Sequence, residues 1–171
     1  MSLRYVYEQD VTIARFVAAM IPTVGWRGFD NCRTIGVIDA SGNLIAGIVY
    51  NNWNPMSGII EVNAAAIPGS KWVTRETLHR MSAYAFEKCA CQMAVMRVRE
   101  SDDRLLRQLA AYGFTFVKIA RLFGRDADGV YCSLTVEDWA NNKFNKRPEP
   151  RVVEQLLDAP VPEWLRRKEA A

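Results

Sequence analysis

The spacing of apolar and polar positions changes repeatedly along this chain, and each change marks an element. Residues 4–8 alternate as a short strand does. A stretch from Asp10 to Met20 then places Ile13, Phe16, Val17 and Met20 on one side of a helix, with Asp10 positioned to cap it and Pro22 to end it. After a Gly-, Trp- and Phe-containing loop over residues 23–31, strands are expected at 34–39 and 44–51. Ala40-Ser41-Gly42-Asn43 joins them as a hairpin signal. A further strand at 58–67 stops at Pro68-Gly69. Next comes a helix from Ser70 or Thr74 to Lys88, with Leu78, Met81 and Ala85 facing inward, and then a strand at 93–99. Leu105, Leu106, Leu109 and Ala110 line one face of the next helix, which ends at Tyr112-Gly113-Phe114. Strands at 117–123 and 130–134 flank the turn Asp126-Ala127-Asp128-Gly129. Helices and strands in this order predict an α+β fold, a mixed and mostly antiparallel sheet flanked by helices.

Composition narrows the function classes. At 171 residues, 50% of them apolar, the chain suits a single core. Its 22 Lys and Arg against 19 Asp and Glu give a net charge of +3, too slight and too dispersed for a nucleic-acid surface. No apolar run approaches the roughly 20 residues of a membrane span. Residues 1–10 lack a signal-peptide core, so no membrane partner and a cytoplasmic location are expected. Cys32, Cys89, Cys91 and Cys132 form no Cys-x-x-Cys pair, and His79 is the single histidine, which argues against a metal site. The cysteines are expected to be reduced packing thiols and His79 a helix-surface residue. No Gly-x-Ser-x-Gly turn is present for Ser-His-Asp chemistry.

The unbroken run of helix, Gly113-Phe114, strand, acidic Gly turn and strand, from Ser101 to Trp139, resembles the C-terminal half of the GNAT superfamily of acyl-CoA-dependent N-acetyltransferases. The Asp-Gly turn and the ending from Leu134 to Trp139 are most similar to the branch that acetylates protein N-termini and small amines. The resemblance implies a GNAT-like domain over residues 1–139, acetyl-CoA as cofactor, and a primary amine of a small molecule or protein as acceptor. Residues 140–171 lie outside it. They read as a linker through Asn141-Asn142-Lys143 and Pro148-Glu149-Pro150, then a short helix near Val152–Leu157, with Trp164 and Leu165 beyond. This extension is expected to dock on the domain or to reach a second copy in a homodimer.

The resemblance also assigns roles to residues. Ala64, Ala65 and Ala66 leave the end of the fourth strand open to a pantetheine arm. Gly69, Ser70, Lys71, Thr74 and Arg75 occupy the loop and helix start where free backbone N–H groups and the helix dipole favour a pyrophosphate. Against the usual Gln/Arg-x-x-Gly-x-Gly/Ala cradle, Lys71 holds the basic position, while Thr74 and Glu76 stand where glycine or alanine is usual. Glu61 and Asn63, two apart and so on one strand face, are the expected general base and amine-orienting group. The family's tyrosine four residues before the Gly of the Gly-Phe pair is Leu109 here. Ser101 takes the role of acid in its place, and Asp102 aligns with a frequent Asn. Trp26, Phe29 and Trp53 are expected to border the acceptor side, near the turn at Asp126. The departures favour a second reading, a catalytically inactive GNAT fold used as a binding or assembly module.

Overall fold

The computed structural model describes residues 3–144, so the tail helix at 152–157, Trp164 and Leu165 lie outside the described residues. Seven strands form one sheet in the order β1-β2-β3-β4-β5-β7-β6. They are β1 (Arg4–Val6), β2 (Arg33–Ile38), β3 (Leu44–Asn54), β4 (Ile59–Ala66), β5 (Met93–Arg99), β6 (Thr115–Ile119) and β7 (Gly129–Thr135). All neighbouring pairs are antiparallel except β4 and β5, which run parallel because α2 (Arg75–Ala83) crosses over between them. The other helices are α1 (Asp10–Met20), α3 (Asp103–Tyr112) and α4 (Val136–Ala140). Among the described residues no helix is long and apolar enough to cross a membrane.

The two faces of the sheet are covered unequally. Alternation along β2, β3 and β4 sends Ile35, Val37, Ile48, Tyr50, Ile60 and Val62 to one side, where they meet Ala83, Tyr84, Phe86 and Trp139 in the main core. Val98, Cys132 and Leu109 extend that side beneath α3. Among the described residues the helix on the opposite face is α1, whose Ile13, Ala14 and Val17 pack on Val49 and, at the margin, on Ala65. Close approach of α1 depends on Gly36 and Gly47. A Cβ at Gly47 would lie 2.6 Å from a Val17 methyl, so the helix could not sit this deep over an alanine.

Several local expectations shift. Asp10 is the first residue of α1 and not its cap; Gln9 precedes the helix without a side-chain cap bond. The Asp10 carboxylate instead takes bonds from Arg33 and Thr34 at 2.9 and 3.0 Å, pinning the helix start to β2. Met20, expected on the inner face, is exposed, and Ala14 and Ala18 are buried in its stead. The helix expected to reach Lys88 is α-helical only to Ala83 and continues as a π-helical turn over Tyr84–Lys88, which brings Tyr84, Ala85 and Phe86 inward together. His79 is buried, not on the surface, with its ring 6.3 Å from that of Trp139. The strand expected at 117–123 starts and ends earlier, at Thr115–Ile119. Asp102 caps α3 by accepting from the Leu105 amide.

Past Trp139, read as the start of a linker, the described chain folds back on α3. The Asn142 side-chain amide donates to the Tyr112 carbonyl, and Phe144 stacks on Tyr112.

Candidate active site

Strands β4 and β5 pair at only three positions, Ile59 with Met93, Ile60 with Ala94 and Glu61 with Val95. Beyond Glu61 they part, and β4 continues to Ala66 bonded only to β3. The β5-facing backbone groups of residues 62–66 therefore have no strand partner, which is the opening an extended ligand arm requires. Ala64, Ala65 and Ala66 line it with minimal bulk, all half-buried.

A polar network stands at the point of parting, on the face that carries α1. Register places Asn63 opposite Val49 and Glu61 opposite Asn51. A bulge in β3 between Asn51 and Asn54, with Asn52 at φ +49°, turns a second asparagine onto the same spot. The Asn52 amide donates to Glu61 Oε2 at 2.9 Å. Glu61 Oε1 accepts from Arg97 Nε at 2.9 Å and Nη2 at 2.7 Å, and from Asn63 Nδ2 at 3.4 Å. Asn63 Nδ2 also donates to Asn51 Oδ1 at 2.9 Å. The Glu61 side chain is 8% exposed and that of Arg97 41%. Burying this carboxylate is tolerable because its charge is matched by a bidentate guanidinium. Oε1 is fully engaged; Oε2, with one donor, keeps capacity for another hydrogen bond.

The structure thus brings Glu61 and Asn63 together and adds Asn51, Asn52 and Arg97, which sequence reading missed. Arg97 comes into phase with Glu61 only through the parallel pairing of β4 with β5. The bulge that delivers Asn52 leaves no pattern before the fold is known. Tyr131 lies directly opposite Arg97 on β7, so its half-buried ring shares this face. Ser101 is not part of the cluster. Arg99 is four residues past the level of Glu61, about 13 Å at 3.3 Å per residue, and exposed Ser101 lies farther on.

At the far end of β4, the phosphate-loop candidates stand together. Gly69 adopts φ +81° with nothing near the site of a Cβ, and Lys71 is exposed. Ser70 turns its hydroxyl back to the Ile67 carbonyl at 2.6 Å. Thr74 caps α2, accepting from the Thr77 amide at 3.1 Å. By helix geometry the amides of Arg75 and Glu76 remain the unclaimed first-turn donors. The Glu76 carboxylate is drawn back along the helix to Arg80, away from that first turn, in a pair at 2.9 Å. Arg80 also donates to the Tyr7 hydroxyl at 3.0 Å and lies 4.3 Å over the Tyr5 ring, whose hydroxyl bonds Thr77. Burial pushes the Tyr7 phenol above its ordinary value, with Arg80 pulling the other way. The start of α2 is in this way fastened to β1.

The three aromatic candidates are not brought together. Trp26, in a 3-10 turn over Gly25–Arg27, is 100% exposed beside a cavity of about 680 Å³ between α1 and residues 25–32. Phe29 lines that cavity and packs on the α1 side, whereas Trp53 packs against the main core on the other side of the sheet. Asp126 is exposed on the turn after β6.

No family model and no curated protein matches the chain. Solved structures do. Mutant forms of the spermidine/spermine N-acetyltransferase SpeG from Vibrio cholerae match with a TM-score of 0.69 at 16% identity, covering 82% of this chain and 98% of that one. SpeG in complex with manganese ions matches at 0.66 and 19% identity, covering 82% and 95%. A dodecameric structure of spermidine N-acetyltransferase from the same organism, in an intermediate state, matches at 0.66 and 16%, covering 81% and 96%. The fold is the GNAT fold expected from the run that ends at Trp139.

Proposed function

We propose that this protein is an acetyl-CoA-dependent N-acetyltransferase acting on a primary amine of a small molecule or protein. The observation that carries the reading is the parting of β4 and β5 with a hydrogen-bonded carboxylate at its root. The similarity to spermidine N-acetyltransferases supports it at the level of the fold. Ala64, Ala65 and Ala66 would flank the pantetheine arm, and Gly69, Ser70, Lys71, Thr74 and Arg75 would hold the phosphates. The fit of that cradle rests on two features. The approach at Gly69 is open, and Glu76 is withdrawn onto Arg80. Glu76 in a position usually held by glycine or alanine is therefore compatible with an anionic ligand.

Bound acetyl-CoA supplies an electrophilic thioester carbonyl and a thiolate leaving group. Asn63 orients the acceptor amine, and Glu61 takes its proton at Oε2, the oxygen with spare accepting capacity. Acetyl-CoA held there would offer its carbonyl carbon to the amine nitrogen and release a sulfur that would carry off the bonding pair and need a proton. Tyr131 replaces Ser101 as the proposed proton donor to that sulfur, because it lies opposite Arg97 on the face of Glu61 whereas Ser101 lies beyond the end of β5.

Titration calorimetry with acetyl-CoA tests the reading. Micromolar binding that is lost in Lys71→Glu supports it. Absence of heat and of a thermal shift at millimolar acetyl-CoA would favour the binding or assembly module instead.

A further inference from the structure

The charge balance of the acceptor face points to a narrower substrate class, an inference that rests on the acetyltransferase reading. Glu61 is the carboxylate at the root of the opening, and Arg97 cancels it with two bonds to one oxygen. Around it stand the neutral amides of Asn51, Asn52 and Asn63. At the open end of β5, Glu100 and Asp128 are both engaged by Lys118, at 2.7 and 3.7 Å. A polycation bound here would meet no uncompensated negative charge at the root of the opening, and it would face an exposed guanidinium.

That guanidinium has a second function available. Its bonds to Glu61 use Nε and Nη2. Nη1, with two N–H groups, makes no side-chain hydrogen bond to a described residue, on a side chain 41% exposed. The free edge formed by Nη1 and Nη2 suits a carboxylate. A few ångströms away, Glu61 Oε2 and Asn63 Oδ1 can accept from an ammonium. We infer that the acceptor is a small amino acid-type zwitterion, its carboxylate held by Arg97 and its amine by Glu61 and Asn63, rather than a polyamine. Such a ligand adds no net charge to a site that has none to neutralise.

The test compares the L-amino acids, each beside its carboxamide, with spermidine, following thiol release from acetyl-CoA by the full chain. The expected result is that at least one amino acid is acetylated with a kcat/KM ten-fold or more above both its carboxamide and spermidine. Arg97→Gln should raise KM for that amino acid at least ten-fold more than KM for its carboxamide, while the loss of the Glu61 partner changes kcat for acid and carboxamide alike. Circular dichroism and melting of the variant confirm folding, and Arg97→Lys, which keeps the charge, should recover part of the amino acid KM. Three results would overturn the inference: spermidine preferred by the unmodified protein, an equal rise in KM for acid and carboxamide in Arg97→Gln, or acetyl-CoA binding with no amino acid acetylated. Failure to bind acetyl-CoA at all overturns the underlying acetyltransferase reading as well, and calorimetry separates that outcome from the others.

Discussion

Arg80 holds one carboxylate oxygen of Glu76 with two guanidinium nitrogens, at 3.1 and 2.9 Å, from a position one helical turn further along α2. The pair reconciles an acidic first turn with the phosphate cradle proposed above. Glu76 still favours the positive end of the helix dipole, while its charge is held back from the loop at Gly69.

Removing the grip should therefore have two effects. Arg80→Ala deletes the ion pair, the bond to Tyr7 and the stacking on Tyr5, and is expected to destabilise the fold by about 2 kcal/mol and to weaken acetyl-CoA binding. Glu76→Gln should leave acetyl-CoA affinity unchanged or improved. Urea unfolding and calorimetry on both variants check the pair of outcomes.

Glu61→Gln keeps the shape of the network and removes the proposed base. A loss of roughly 100-fold or more in kcat is expected with little change in acetyl-CoA affinity, consistent with the usual worth of a general base. Tyr131→Phe should lower kcat by about 10-fold at unchanged melting temperature. A Tyr131→Phe variant with full turnover would remove the phenol from the mechanism.

How much of this could be read in advance depends on the range of the interaction. The phase of Glu61 and Asn63 is a two-residue property of one strand, and their shared face followed from the sequence. So did Thr74 as a cap, since capping is decided within four residues. Arg97, Asn52 and Tyr131 join the site through a parallel pairing, a bulge and a cross-strand register, all set by tertiary structure. His79 is buried because α2 covers a wider arc than Leu78, Met81 and Ala85 imply. The return of Trp139 onto the core brings its ring within 6.3 Å of the imidazole. Trp26, Phe29 and Trp53 share a residue class but not a side of the sheet, which composition does not encode.

Alkaline instability is expected from the buried thiols. Burial pushes Cys89 up to about 12, and Cys91 and Cys132 up to about 11. Between the ordinary thiol range near 9 and those values, the unfolded chain has lost protons that the folded chain keeps. Folding stability is thus full below pH 9 and falls as pH rises toward 11–12. Denaturant midpoints across pH 8 to 11 measure the slope, and Cys132→Ala should flatten it. The same burial predicts negligible reaction with thiol reagents at pH 8 until the protein unfolds.

Gly47→Ala should cost about 1–3 kcal/mol through the clash with Val17 and Ile13. A thermal melt reads it. An undiminished melting temperature would mean that α1 can lift from the sheet without loss.

The three-residue seam between β4 and β5 gives the molecule two leaves, β1 to β4 on one side and β5, β7 and β6 on the other. Backbone pairing ends at the root of the wedge, and there the Glu61–Arg97 bond links one leaf to the other. The unzipped edge is a product of folding, held apart before any ligand arrives. An incoming chain need not separate two strands or order a loop to find its partners. The entropy of arranging them has been spent already, and more of the contact energy is left as affinity.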